Sequence, residues 1–183
     1  KDLQYAQLVG LLRSSSYSYS FLSSYLLECF DLNEKYDFLF NEEEKIIALA
    51  DSEELLEIIL YIGIVMNENS IRSVVRREEK LKLEQCLGED AYTFAVKKAQ
   101  FLIGSAQFKA PDVLIDWQNI DRFRSFLMIS GMQVLAIVYA GMCEAFKKRF
   151  FLKFPKSWSK YLQNPSDSIT TRAQGLSLLL KIY

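Results

Sequence analysis

Nineteen consecutive residues, 125–143, carry no charge: SFLMISGMQVLAIVYAGMC, with Lys147, Lys148 and Arg149 close behind. Such a run either crosses a membrane or forms the inside of a globule. As a helix rising ~1.5 Å per residue it reaches ~28 Å, about the thickness of a bilayer's hydrocarbon core. The basic cluster behind it also resembles a cytoplasmic flank. Composition argues for the globule, because the chain is 25% charged and its mean hydropathy is +0.03. On a helical wheel Ser130, Gln133, Gly141 and Glu144 share one face about 80° wide. A thin polar or small edge on an otherwise apolar helix suits a helix surrounded by others.

A second segment points the same way. Residues 55–66, LLEIILYIGIVM, hold one charge in twelve. Apolarity alone permits a buried helix or a strand. Asp51 ahead of it fits a helix N-cap, with Glu54 at the capping-box position, so a helix is expected. Twelve residues are too few to span a bilayer, so a globular core must bury them. The same core can bury the long segment.

The rest of the chain reads as helix with breaks. A short helix is expected over 2–13. Residues 14–24, SSSYSYSFLSS, hold seven serines in eleven, a composition that favours a loop or a late helix start. A helix is expected to resume near Phe21 and run to Phe30, followed by an irregular stretch over 31–41. After the 55–66 helix, residues 67–70 break the chain and Ser70 caps a helix over 71–87, stopped by Gly88. Another is expected from Asp90 to Gly104, then a loop over 105–117. Asn119 caps one long helix over 120–151, which Pro155 ends. One or two turns follow over 157–162, and Asp167 or Ser168 caps a final helix. The fold class expected is all-α, one irregular bundle of about seven helices around two very apolar central ones. Residues 1–24 form an N-terminal helix and serine-rich connection, and residues 25–183 the helical core domain.

Chemistry is sparse. Histidine is absent, which removes the commonest general base and metal ligand. Cys29, Cys86 and Cys143 lack metal or disulfide spacing; each is expected to be a small buried residue in a reducing compartment. No glycine-rich phosphate loop is present. Neighbouring acids such as Glu42, Glu43 and Glu44, or Glu53 and Glu54, point apart on a helix and do not converge as acid–base pairs. No catalytic, cofactor-binding or metal-ligating residue is assigned. The chain opens on Lys1 rather than Met, so its natural start is expected to be missing and nothing follows about a leader.

Charge is unevenly placed although the net is −1. Residues 28–57 hold eleven acids and two bases, a balance of −9; residues 144–183 hold two acids and eight bases, a balance of +6. Such poles either attract each other within the fold or meet different partners. Arg72, Arg76 and Lys80, at i, i+4 and i+8, would form one basic ridge on a helix, neutralised by Glu68, Glu79 and Glu84 or free to dock an acidic partner. Tyr17, Tyr19, Phe21 and Tyr25 form an aromatic patch expected to pack onto the core, with partner binding as the alternative. Nucleic acid would need a larger basic excess.

The order of the segments SYLLECFDLNEKYD, ELLEIILYIGIVMNENSIRSVV, LGEDAYTFAVKKAQFLIG, RFRSFLMISGMQVLAIV and FFLKFPKSW resembles the SctK family, cytoplasmic accessory subunits of bacterial type III secretion injectisomes. The matching features are an acidic leucine-rich helix, an apolar helix ending in Ile62-Gly63-Ile64-Val65, the Ile71-Arg72 pair, the Leu102-Ile103-Gly104 helix end, the long apolar helix, and the basic, proline-containing segment 147–158. A His-Gly step frequent in the family is Asn67-Glu68 here, and the family's aromatic, proline-rich N-terminus is not recognisable. The resemblance implies a non-enzymatic adaptor of the sorting platform, in the bacterial cytoplasm and held at the inner membrane by its partners. It would bridge the cytoplasmic domains of the inner-membrane ring to the pod subunit, and be a monomer when isolated. It carries over no cofactor and no catalytic residue. Two partner faces are expected: an acidic one with Glu42, Glu43, Glu44, Glu53 and Glu54, and a basic one with Lys147, Lys148, Arg149 and Lys153 together with Arg72 and Arg76. The rival class is a helical secretion chaperone or effector, which predicts an exposed apolar groove.

Overall fold

A computed structural model describes residues 2–37, 39–103, 113–163 and 170–183. Among these residues there is no strand. The helices are α1 (Asp2–Ser14), α2 (Ser16–Cys29), α3 (Glu43–Ile47), α4 (Ser52–Met66), α5 (Glu68–Arg72), α6 (Arg77–Leu87), α7 (Glu89–Lys97), α8 (Ala99–Ile103), α9 (Ile120–Tyr139), α10 (Glu144–Phe151), α11 (Ser159–Gln163) and α12 (Arg172–Ile182), with a 3₁₀ turn at Lys156–Trp158. The fold is all-α. Among the described residues twelve helices replace the about seven expected, because three expected helices are broken, α3 is additional and the turns near 157–162 form a helix of their own. The 71–87 helix is interrupted at 73–76, the 90–103 helix at Lys98, and the 120–151 helix at 140–143.

The chain divides into two compact units. One comprises Lys1–Phe38 with Cys143–Arg149, the other Leu39–Met142 with Phe150–Tyr183.

In the first unit α1 and α2 form a helical hairpin. The expected serine-rich loop is helical instead. Ser15 takes an extended backbone (φ −96°, ψ 116°) and separates the two helices in one residue. The serine hydroxyls then turn back to main-chain carbonyls: Ser14 donates to Leu11 at 2.8 Å and Ser18 to Leu12 at 3.0 Å across the turn. This local bonding removes the competition that makes serine a poor helix residue. The segment after α2 is irregular as expected, and Asp31 and Glu34 adopt positive φ (53° and 58°).

The second unit is built on α4 crossing α9. Asp51 caps α4, its carboxylate accepting from the Glu54 amide at 2.8 Å. Leu55, Ile59, Ile62 and Ile64 on α4, and Leu127, Val134, Leu135 and Val138 on α9, are fully buried. Two glycines set the spacing. A Cβ at Gly63 would overlap the Leu127 carbonyl, and one at Gly131 would overlap the Ile59 carbonyl. The two backbones therefore touch at a pair of reciprocal glycine contacts. Ser130, on the expected polar edge, is buried and donates to the Phe126 carbonyl at 3.0 Å. Among the described residues no helix is long and apolar enough to cross a membrane.

Other elements close around this pair. The Tyr139 hydroxyl donates to the Glu44 carbonyl at 2.6 Å, and the Arg172 guanidinium bonds the Glu44 carboxylate at 3.2 Å and the Val138 carbonyl at 3.1 Å. This joint ties α3, the end of α9 and α12 together. Burial, and secondarily the Glu44 charge, push the Tyr139 phenol well above its ordinary range. The expected caps Asp167 and Ser168 lie outside the described residues. Thr171 caps α12 in a reciprocal box, accepting from the Gln174 amide at 3.3 Å while the Gln174 side chain accepts from the Thr171 amide at 3.1 Å.

Candidate functional site

The residues expected to form partner faces divide into those the fold uses and those it leaves outside. Glu42, Glu43, Glu53 and Glu54 are exposed. Glu44 is not: it is 6% exposed and paired with Arg172, so it belongs to the α3–α9–α12 joint and not to an outer acidic face. Arg72 does not share a ridge with Arg76 and Lys80. Arg72 ends α5 and bonds Glu68 at 3.3 Å, whereas Arg76 is the N-cap of α6 and lies 3.6 Å from Glu79. The non-helical residues 73–76 break the i, i+4 relation that the sequence suggested.

The basic cluster is largely committed within the chain. Lys147 pairs with Glu144 at 2.9 Å, and this lysine holds the Glu144 carboxyl below its usual range. Lys148 reaches the Phe30 carbonyl at 3.5 Å. Arg149 donates to the carbonyls of Leu32 and Lys35, both at 3.1 Å, and lies 5.6 Å over the Tyr36 ring. In the second unit Lys153 donates to the carbonyls of Ala48 and Ala50 at 2.7 and 2.6 Å, closing the end of α3. Its ammonium is pushed below the ordinary lysine value by burial, partly offset by Asp51.

Two surfaces stand out among the described residues, one on each unit. The first is the α1–α2 hairpin. No residue of α2 is buried, and Tyr17, Tyr19, Phe21 and Tyr25 are 82, 60, 67 and 62% exposed. Leu8, Val9 and Leu11 on α1 are exposed too. Within its own unit the aromatic patch stays open rather than packed. Tyr17 and Phe21 face each other one helical turn apart, ring centroids at 6.0 Å.

The second surface is a groove in the second unit between α4, α7 and α9, with a volume of about 460 Å³. Leu56, Leu60 and Met128 line its floor, and Glu53, Glu57, Glu89 and Asp90 its rim. Gly88 shapes this rim. Its φ of 91° ends α6 and starts α7 in one residue, a conformation glycine adopts without strain. Arg124 forms one wall, its guanidinium occupied by the carbonyls of Cys86 and Leu87 at 2.7 and 3.2 Å. Burial, the hydrogen bond that the phenol donates to Glu57 and the charges of Glu57 and Asp90 push the Tyr61 phenol beside the groove up to about 12. Sequence reasoning found Glu53 but missed Glu57, Glu89 and Asp90 as members of one rim, because they come from two helices whose meeting is a tertiary fact.

The cysteines differ from expectation. Cys29 and Cys143 are exposed and Cys86 is half-buried, its thiol near the Ile120 carbonyl at 3.6 Å and pushed up by burial. Among the described residues no His, Cys, Asp or Glu group is arranged to hold a metal ion.

Fold and surface together define a class: an all-helical protein that displays apolar side chains on a hairpin and an acid-rimmed apolar groove on its larger unit. Residues 8–183 match the family model described as YOP proteins translocation protein K (YscK). The chain belongs to this family, as its sequence motifs suggested, and is a protein of type III secretion. No curated protein and no solved structure matches it.

Proposed function

We propose that this protein is a non-enzymatic adaptor of the injectisome's sorting platform, bridging the cytoplasmic domains of the inner-membrane ring to the pod subunit. It would work on the cytoplasmic side of the inner membrane, held there by its partners. The observation that carries the reading is the α1–α2 hairpin, a helix pair with its large apolar side chains in solvent. An exposed apolar patch of this kind marks an interaction site. Tyrosine and serine dominate it, a pairing that gives large, rigid contact area with adaptable hydrogen bonding. Family membership supplies the context in which its partner is another injectisome component.

The second face lies on the larger unit, on the acidic side that carries Glu42, Glu43, Glu53 and Glu54. Arg72 and Arg76 contribute rim charge on the larger unit, and Lys147, Lys148 and Arg149 contribute it to the face on the smaller one. Such charges tune encounter rate and salt sensitivity more than affinity. Light scattering after size exclusion tests the reading. The protein is run alone, with a ring cytoplasmic domain, with the pod subunit, and with both. Co-elution of all three in one complex is the expected result. A Tyr17→Ser, Phe21→Ser, Tyr25→Ser variant is expected to lose one partner and keep the other. A wild-type protein that joins neither, or a variant that keeps both, overturns it.

A further inference from the structure

The groove on the larger unit does not stand alone. It shares Arg124 and Met128 with a neighbouring depression of about 290 Å³, and Tyr61 and Asp90 with another of about 500 Å³. The three form an open row across one unit, a shape suited to a length of polypeptide rather than to a compact small molecule. The chemistry changes along the row. Lys160 stands in the first depression and Lys98 and Lys181 in the last. The middle is acidic, with Glu53, Glu57, Glu89 and Asp90 around an apolar floor. Among the described residues none of these four carboxylates forms an ion pair. Arg124 at the wall is anchored through Nη1 to the carbonyls that end α6.

From this charge pattern we infer that the groove docks a basic amphipathic segment of a partner protein, its lysines or arginines over the acidic middle and its apolar face on Leu56, Leu60 and Met128. Two features make the fit. The rim from α4 and the rim from the first turn of α7 face the same floor, so cations on both edges of a helix meet carboxylates. The apolar floor lies between them, so the seated segment buries its own apolar stripe while its charges stay at the solvent edge. Opposite charge at the rim speeds encounter, and the floor supplies residence.

The inference concerns this groove and holds whichever platform component supplies the segment. The probe is a fluorescein-labelled amphipathic helical peptide of leucine and lysine, followed by fluorescence anisotropy at low and high salt. A companion peptide carries glutamate in place of every lysine. A Glu53→Lys, Glu57→Lys, Glu89→Lys variant removes the rim. A Glu28→Lys, Glu34→Lys, Glu78→Lys variant makes the same change in net charge on exposed acids outside the groove. Leu56→Ser removes part of the floor without touching charge, and circular dichroism checks that each variant folds.

Expected are binding of the lysine peptide, loss of about tenfold or more in affinity for the rim variant, a weaker loss for Leu56→Ser, and little change for the remote variant. Equal losses in the rim and remote variants, comparable binding of the glutamate peptide, or absence of binding overturns the inference. So does a wild-type chain that self-associates through this face and excludes the peptide. The outcome is separable from that of the adaptor reading. Peptide binding displaced by neither ring domain nor pod subunit leaves the groove standing and removes its place in the bridge. A ternary complex indifferent to the rim variant does the reverse.

Discussion

Gly63→Ala should unfold this protein more easily, against the usual trend for that substitution in a helix. Alanine favours an α-helix over glycine by about 1 kcal/mol, so in open space the change stabilises. At Gly63 the new methyl overlaps the Leu127 carbonyl oxygen and presses on its carbon and Cα. These are backbone atoms and cannot rotate away, so α4 and α9 must separate. Separation thins the dispersion contacts of the whole buried seam, including Ile59, Leu127 and Val134. Overpacking costs about 1–3 kcal/mol, and an unyielding backbone neighbour places this case at the upper end. After the propensity gain the net loss is about 2 kcal/mol. For a chain of this length each kcal/mol moves Tm by ~2–4 °C, so the midpoint should fall by about 4–8 °C. Thermal melts followed by far-ultraviolet circular dichroism measure it. Gly131→Ala should behave alike, and the double variant should lose less than the sum, because both methyls force the same separation. Gly10→Ala on α1, with nothing within 4 Å of its Cβ, serves as the control and should hold or raise Tm. A Gly63→Ala protein that melts at or above the wild type refutes the backbone contact.

Further outcomes follow from single interactions. Lys153→Ala removes two charge-assisted bonds to the end of α3 and should cost about 2 kcal/mol in urea unfolding, whereas exposed Lys156→Ala should stay within ~0.5 kcal/mol. Tyr139→Phe leaves the Glu44 carbonyl without its phenolic donor and should cost about 1–3 kcal/mol, read as a lower midpoint at an unchanged slope. Tyr61 has a folded-state pKa of about 12 against 10.0 for the free side chain. Its contribution is present in full below pH 10.0 and lost as pH rises through about 12. Wild type should therefore lose stability relative to Tyr61→Phe across that window, in unfolding measured at successive pH values, and parallel pH curves would refute the shift.

Much of the fold was legible because its strongest signals were local. Asp51 and the twelve-residue apolar run define α4 without reference to anything distant, and Gly88 marks the end of α6 as glycine at positive φ does. The breaks were not legible. Residues 73–76 and 140–143 carry no proline, and the weak helix formers they do hold, Ser73, Val74, Val75 and Gly141, are residues that many helices tolerate. The serine-rich stretch misled for the opposite reason. Its composition disfavours a helix interior, yet Ser14 and Ser18 find carbonyls at the hairpin turn. At the surface, counting charges identified an acidic pole but could not tell Glu44, turned inward to Arg172, from Glu42 and Glu43 beside it. Nor could it tell that Arg149 and Lys153 would be spent on carbonyls. Charge is written in sequence, whereas its availability is decided by which backbone groups end up within reach.

The bond between Glu44 and Arg172 joins residues 128 positions apart. A ribosome adding ~5–20 residues per second needs roughly 6–26 s to travel that distance. For that interval the growing chain holds Glu44 and the apolar faces of α4 and then α9 without the helix that completes their joint. Apolar surface left open during synthesis is prone to wrong association until its partner helix arrives. A stalled or truncated message ending before α12 would yield a chain with a carboxylate awaiting a missing guanidinium.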